Sequence, residues 1–354
     1  MSSWEKNNIH IKAINPIEDT RWDDFVLNHP QSSIYHYSAW GNVLKSSYNH
    51  NFFYLVLENS KTNQVNGVVP FILVESSLTG KRLVSLPFTS YCNPLFKETE
   101  LEEIVRYILE QHPDIDYLEL KFTEANEINL SETFRKRSSH VTHILDIGIS
   151  LEQLFKSFHK SSIQQRIKRA KRENLKFRIT DKEEDLRKFY ELVTEIRKKH
   201  GLPPAPYHFF SNMWRILEPK NLLFIPLVEF NGEVIAGAIV LQSKDTYHFE
   251  YSASNQKYLK LCSNQKLIWE IIKVAHQNGV RYFDFGRSSL RNHSLIDFKE
   301  RWAAERVNLH YYYFPAKRLD TEKDIKRKIL ERINRYLPTR LLQLEGKILY
   351  PHLS

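Results

Sequence analysis

Apolar residues in the first half of the chain fall in short runs separated by polar turns. Phe52–Glu58 and Val65–Val74 predict two strands joined by the polar turn Asn59–Gln64, and Arg82–Leu86 predicts a third. The period then lengthens. Leu101, Ile104, Val105, Ile108 and Leu109 share one helical face until His112-Pro113 ends the helix, and Asp116–Phe122 reads as strand again. The second half repeats the order. Leu222–Phe230 and Glu233–Gln242 flank Asn231-Gly232, a dipeptide suited to a type I′ hairpin turn, and Tyr247–Ala253 follows as a strand. Ser263 or Asn264 is placed to cap a helix with the buried face Leu267, Ile268, Ile271, Ile272 and Ala275. Gly279 ends that helix, and strand Val280–Phe285 comes next.

Hairpin, strand, helix, strand, twice over, predicts two similar mixed α/β domains in tandem. One boundary is expected near Ser150, between the strand Thr142–Ile149 and a helix opening at Leu151. That gives a first domain over 1–150, a second over 151–320 and a basic helical tail over 321–354. In the tail, Lys323–Tyr336 and Arg340–Ile348 read as helices split by Leu337-Pro338. Ile325, Ile329, Ile333 and Tyr336 form one apolar stripe, and Leu341, Leu342, Leu344, Ile348 and Leu349 add more apolar surface.

Composition narrows the function classes. With 354 residues, 42% of them hydrophobic, the chain has material for two cores, and no run is long enough to span a membrane. The start Met1-Ser2-Ser3-Trp4 lacks the apolar core of a signal peptide, so a cytosolic protein is expected. Cys92 and Cys262 offer neither a disulfide framework nor metal spacing and read as buried thiols, so no metal site is expected.

Charge is concentrated. Against a net charge of +9, residues 156–172 hold seven basic side chains and no acid, and residues 317–347 hold ten basic and five acidic ones. In the first stretch Ser161 or Ser162, each with Gln three residues on, forms a capping box. Ile163, Ile167 and Ala170 then face inward while Arg166, Lys168 and Arg169 project outward. That face is either solvated or an anion site for diphosphate, nucleic-acid backbone or an anionic lipid surface. No base-reading module is present, which argues against sequence-specific DNA binding. The tail is either a brace on the second domain or a basic amphipathic surface for peripheral contact with an anionic membrane at its inner face.

The chemistry is concentrated in Tyr282-Phe283-Asp284-Phe285-Gly286-Arg287-Ser288-Ser289 and the helix after it. There Leu295, Phe298, Lys299 and Trp302 fall on one face. Lys299 interrupts an apolar stripe and either delivers a cation to a pocket beside Arg287 or snorkels to water. Asp284 either accepts a proton, caps the turn or pairs with Arg287. Ser288 and Ser289 can donate hydrogen bonds. Tyr251, expected opposite the helix opening at Asn264, either donates to a leaving group or belongs to the core. No Walker A loop, HExxH, G-x-S-x-G or G-x-G-x-x-G after a strand is present, so phosphate-loop, zinc-hydrolase, serine-hydrolase and dinucleotide chemistries find no support.

These segments, Phe283 to Ser288 with Phe298-Lys299 and Trp302 and the strand Leu309–Tyr313, resemble the FemAB-like branch of the GNAT acyltransferases. Ser33-Ile34-Tyr35-His36 with Trp40, Arg166 to Ala170, and Leu192 to Gly201 with Tyr207 and Phe210 extend the resemblance over most of residues 20 to 315. It implies tandem GNAT-like domains and an N-acyl or aminoacyl transferase acting on an amine of a peptidoglycan, exopolysaccharide or other cell-envelope precursor, small or lipid-linked. It implies no tightly bound cofactor, with acyl-CoA or aminoacyl-tRNA as donor. Lys299, Arg287 and Asp284 fall to catalysis, and Ser288, Ser289, Phe298, Tyr251, Asn264, Tyr207 and Trp40 to substrate binding.

The chain also departs from the family. Lys260 to Lys266 has no glycine for a pyrophosphate turn, and residues 174–221 leave no room for the long helical arm of aminoacyl-tRNA users. Pro203, Pro204, Ala205 and Pro206 stand where the bridge-forming enzymes carry a phosphate-binding arginine. The donor stays open. The alternative is a non-catalytic relative that binds tRNA or an anionic membrane through its basic helix and tail.

Overall fold

The computed structural model describes residues 5–6, 9–126, 130, 132–315 and 330–353. The chain divides into two compact units. The first comprises 1–139, 308–319 and 349–354; the second comprises 140–307 and 320–348. The sequence places a boundary near Ser150. The units divide earlier, between Ser139 and His140, inside a strand, and the tail is shared: residues up to Ile348 count with the second unit and those from Leu349 with the first.

In the first unit, β1 (Glu5–Lys6), β2 (Ile9–Ile14), β3 (Asn51–Asn59), β4 (Val65–Ser76) and β5 (Gly80–Val84) form an antiparallel run. β5 then pairs in parallel with β6 (Tyr117–Thr123), and β6 pairs antiparallel with residues 309–314. The helix Leu101–Gln111 lays Leu101, Ile104, Val105 and Ile108 on this sheet against Phe53, Leu55, Leu57 and Phe122, the face its periodicity predicts. Trp40 is fully buried in this unit, on the helix Ser38–Tyr48, edge-on to Tyr35. Neighbouring His36 is pinned by Ser33 and by the Asn93 carbonyl, 2.9 Å from its Nε2. The segment 349–354 completes the unit: His50 Nε2 lies 3.0 Å from the Pro351 carbonyl, and Arg82 donates to the His352 carbonyl.

The second unit repeats the order. β7 (Arg135–Asp146), from His140 onward, is followed by helices Leu151–Ser157 and Gln165–Arg172, then β8 (Lys176–Thr180) and helices Glu183–Lys199 and Tyr207–Leu217. β9 (Leu223–Phe230), β10 (Glu233–Ser243) and β11 (Thr246–Ser254) form an antiparallel meander beside β8. Asn231 and Gly232 take φ of 50° and 83°, the pair of positive values that their type I′ turn requires. After the helix Ser263–Gln277 comes β12 (Tyr282–Asp284), parallel to β11 and antiparallel to β7. β13 (Ser288–Ser289) pairs with β7, and the helix His293–Glu300 leads to β14 (Glu305–Phe314). Leu267, Ile268, Ile271, Ile272 and Ala275 form one core with Leu154, Phe158, Ile167, Phe283 and Trp302.

Two caps differ from expectation. The helix Gln165–Arg172 is preceded by a π-helical turn, Lys160–Gln164, capped by His159 rather than by the two serines. The helix Ser263–Gln277 is entered through Cys262 at φ 59°, in the left-handed region, and neither Ser263 nor Asn264 caps it. Cys262 supplies the backbone conformation that a glycine would have supplied at lower cost.

Of the first tail helix, Ile325 and Ile329 lie outside the described residues, and the chain is helical again from Leu330 to Asn334. The second tail helix, Thr339–Leu349, buries Leu342 and Gly346. A Cβ on Gly346 would lie 2.0 Å from the Pro204 carbonyl oxygen, so the proline-rich loop and this helix meet backbone to backbone. The loop serves as the tail's docking surface. Gly346→Ala is expected to destabilise the protein by about 1–3 kcal/mol, the cost of overpacking, despite alanine's better helix propensity. A thermal melt at or above that of the wild type would refute this contact.

Candidate active site

β11 and β12 pair over Thr246↔Tyr282, Tyr247↔Phe283 and His248↔Asp284, where their ladder ends. Immediately beyond, β11 bulges. Phe249 faces Val240 and Tyr251 faces Ile239, so Glu250 has no partner on β10. A bulge re-aims a side chain and frees its backbone from the ladder. On the other strand the chain turns at Gly286 (φ 72°), where a Cβ would come within 3.3 Å of the Phe249 carbonyl oxygen.

Two buried charges hold the Gly286 turn. Lys299 is 5% exposed, so it does not snorkel. Its Nζ donates to the Gly286 carbonyl at 2.6 Å and lies 3.5 Å from that of Arg287. Burial pushes its pKa down to about 8, against the opposing pull of the Asp284 and Glu250 charges. Asp284 is fully buried and accepts from Thr142 Oγ1 at 2.5 Å and from the Gly286 amide at 2.8 Å, with His248 Nδ1 3.4 Å away. Burial pushes its carboxyl up, but His248, Thr142 and the Gly286 amide outweigh it and hold the pKa below the usual carboxylate value. Asp284 thus caps the turn. Arg287 is exposed.

Residues that the sequence reading passed over complete the cluster. His143 on β7 is fully buried, its Nε2 3.9 Å from Glu300 Oε1, and neither ring nitrogen has a hydrogen-bond partner among the described residues. Burial, reinforced by Lys299, pushes its pKa down to about 4. Ser288 Oγ is also buried without a partner, whereas Ser289 is half-buried and accepts from the Arg291 amide. Because the unfolded chain takes up this proton at about pH 6.5 but the folded chain only near 4, stability falls as pH drops through that window. His143→Leu is expected to flatten this acid loss in thermal melts across it. An unchanged slope would show that His143 does not contribute.

The other expected site residues disperse. On the helix His293–Glu300, Ile296 and Lys299 are the buried positions, and Leu295 and Phe298 flank them half-buried. Phe298 packs near Trp302, their rings 6.4 Å apart. Tyr251 packs edge-on against Phe209 and Phe210, and Asn264 is half-buried in the first turn of its helix. Tyr207 lies under the Arg187 guanidinium, 4.7 Å from its ring, in a groove shared with the tail helix. Trp40 belongs to the other unit's core. Arg166, Lys168 and Arg169 are exposed, with Arg169 3.5 Å from Glu173. A 710 Å³ cavity in the first unit, between Leu101, Val105, Phe134 and Phe314, gathers no comparable set of buried charged groups.

The arrangement joins a bulge carboxylate, a buried amine and a turn held by buried charges. The 15-residue helix Ser263–Gln277 lacks a side-chain cap at its entry turn. Uncapped first-turn amides suit an anion. Residues 157–300 match the family model of the acetyltransferase (GNAT) domain, so the chain carries a GNAT-type acyltransferase domain. No curated protein matches the sequence. Among solved structures, FemX matches with a TM-score of 0.66 at 13% identity, over 90% of this chain and 99% of that one. The C-terminal domain attributed to a lysylphosphatidylglycerol synthetase of Agrobacterium fabrum gives 0.55 at 13%, over 90% and 97%. A tandem GNAT protein from the clavulanic acid biosynthesis pathway gives 0.54 at 10%, over 88% and 100%. At such identities the likeness is one of fold, and it extends the tandem GNAT architecture over most of the chain.

Proposed function

We propose that the second unit transfers an acyl or aminoacyl group to an amine of a cell-envelope or exopolysaccharide precursor. The observation that carries this reading is the bulge at Glu250 beside buried Lys299, where the β11–β12 ladder ends. A donor's thioester or ester carbonyl placed there would lie between the Glu250 bulge and the Gly286 turn. The neutral amine attacks the carbonyl carbon and an amide C–N bond forms. The carbon–sulfur or carbon–oxygen bond to the carrier breaks, Glu250 accepts the amine's proton, and the departing carrier takes up a proton. Lys299, held under the Gly286 turn, supplies positive charge where the carbonyl oxygen becomes negative.

The donor's phosphates would lie at the entry of the helix Ser263–Gln277, with Arg166, Lys168 and Arg169 as additional cations for a donor as large as aminoacyl-tRNA. A relative whose name joins an amino acid to a phospholipid makes aminoacyl transfer the favoured form. Thermal-shift screening with acyl-CoAs, charged and uncharged tRNA, and amino-sugar precursors would identify the substrates. In the transfer assay built on that result, Glu250→Gln is expected to lower the rate about 10²–10⁴-fold, the usual contribution of a general base, with the melting temperature unchanged. Full transfer by this variant would remove Glu250 from the mechanism. Binding confined to tRNA and abolished by moderate salt would replace catalysis with simple polyanion binding.

A further inference from the structure

The helix Thr339–Leu349 has two distinct faces. One carries Leu342, fully buried, and Gly346, seated against the Pro204 carbonyl. Most of the way round the helix, Leu341, Leu344 and Ile348 are 50%, 53% and 57% exposed. At 100° per residue they share one arc, and Arg340 and Lys347 border it. The preceding turn adds Ile333 and Tyr336, also exposed, with Arg332 and Arg335. Both acids of residues 330–349 are drawn inward: Glu331 is half-buried, and Glu345 accepts from the buried Asn334. The outward surface of the helix itself is therefore apolar and cationic, and the groove beside Leu344 and Lys347 adds the exposed Glu191 next to Arg187.

Docking and exposure thus coexist in one helix. The buried face explains how the tail is fixed, but it leaves the apolar arc unaccounted for. Large apolar side chains grouped on a surface mark an interaction site. A second copy meeting this arc face to face would bring Arg340 and Lys347 against their own counterparts. A nucleic acid would satisfy the cations and leave three aliphatic side chains in water. An anionic bilayer satisfies both sets, with the aliphatic chains entering the acyl boundary and the cations lying among phosphates. We infer that this face docks the second unit on an anionic membrane surface. The inference is independent of the catalytic reading, because it needs neither Lys299 nor Glu250.

The test is co-sedimentation of the full chain with vesicles of phosphatidylcholine alone and of phosphatidylcholine mixed with phosphatidylglycerol. The wild type should bind the mixed vesicles and largely ignore the neutral ones. Leu344→Ser with Ile348→Ser, both exposed and so expected to leave the thermal melt unchanged, should weaken binding about tenfold or more, given the transfer free energy of buried aliphatic groups. Arg340→Gln with Lys347→Gln should weaken binding to mixed vesicles and leave the residual neutral binding alone. Failure of the wild type to sediment with mixed vesicles at low salt would overturn the inference, as would undiminished binding by the Leu344/Ile348 variant. So would self-association in sedimentation velocity that the same variant abolishes while vesicle binding persists, or tRNA binding at this face without vesicle binding.

Discussion

Lys299→Met should lower transfer about 10²–10³-fold while leaving the fold in place. Methionine matches the length and apolar stem of lysine but donates nothing to the Gly286 carbonyl, which Lys299 Nζ now reaches at 2.6 Å. Leaving that carbonyl unpaired costs about 1–3 kcal/mol, partly offset because a charge no longer has to be desolvated. A lost donor at a developing oxyanion lowers the rate about 10²–10³-fold. The pH profile separates this role from that of a base. With a pKa of about 8, Lys299 is mainly an ammonium at neutral pH. A rate that requires the charge declines as pH rises through that value, whereas a rate that requires the free amine climbs. We expect the decline. A variant retaining full transfer, or a rate that climbs through that pH, would assign Lys299 elsewhere.

The largest loss of stability should come from Asp284→Ala. The substitution removes the acceptor for Thr142 Oγ1 and for the Gly286 amide, and takes away the counter-charge facing His248. Breaking a buried charged network on one side costs about 3–5 kcal/mol. Asp284→Asn keeps an acceptor oxygen and should lose less. The pH dependence follows from the direction of the shift. The folded pKa lies below the ordinary value, so the stabilisation is complete above the unfolded carboxyl's pKa of about 3.9. It is lost as pH falls through the lower folded value. Chemical denaturation of both variants at neutral pH checks the order. Asp284→Ala unfolding at the wild-type midpoint would show that the network carries no stability.

Much of the architecture is legible in periodicity. The helix Ser263–Gln277 buries the five residues its spacing selects, and Asn231-Gly232 turns as its dipeptide demands. The resemblance carried by residues 283–302 also led to the right fold class. Strand ends were less legible. β7 begins at Arg135, far ahead of the expected Thr142, because its first residues are polar and exposed and a sequence pattern cannot separate them from a loop. β8 went unseen: Lys-Phe-Arg-Ile-Thr is short and mixed, and pairing with β9 rather than propensity makes it a strand. In the site, Lys299 and Asp284 drew notice as charges inside apolar patterns, and the same cue was available at His143, in Val-Thr-His-Ile-Leu. Glu250 carried no such cue. Only the slipped register at Ile239/Val240 turns it out of the ladder, and alternation in one strand says nothing of its neighbour's register.

Neither compact unit is a single stretch of chain, and this bears on how the protein is made. The first closes only when residues 308–319 and 349–354 join it, and the second needs 320–348. The contact of His50 with Pro351 spans 301 positions. Such long loops raise the contact order, so folding is expected to be slow, with little gain from domain-by-domain completion on the ribosome. A proteolytic cut between Ser139 and His140 parts the first unit from residues 308–319 and 349–354, which complete it. The two halves are a pair in sequence repeat and a single entity in biogenesis.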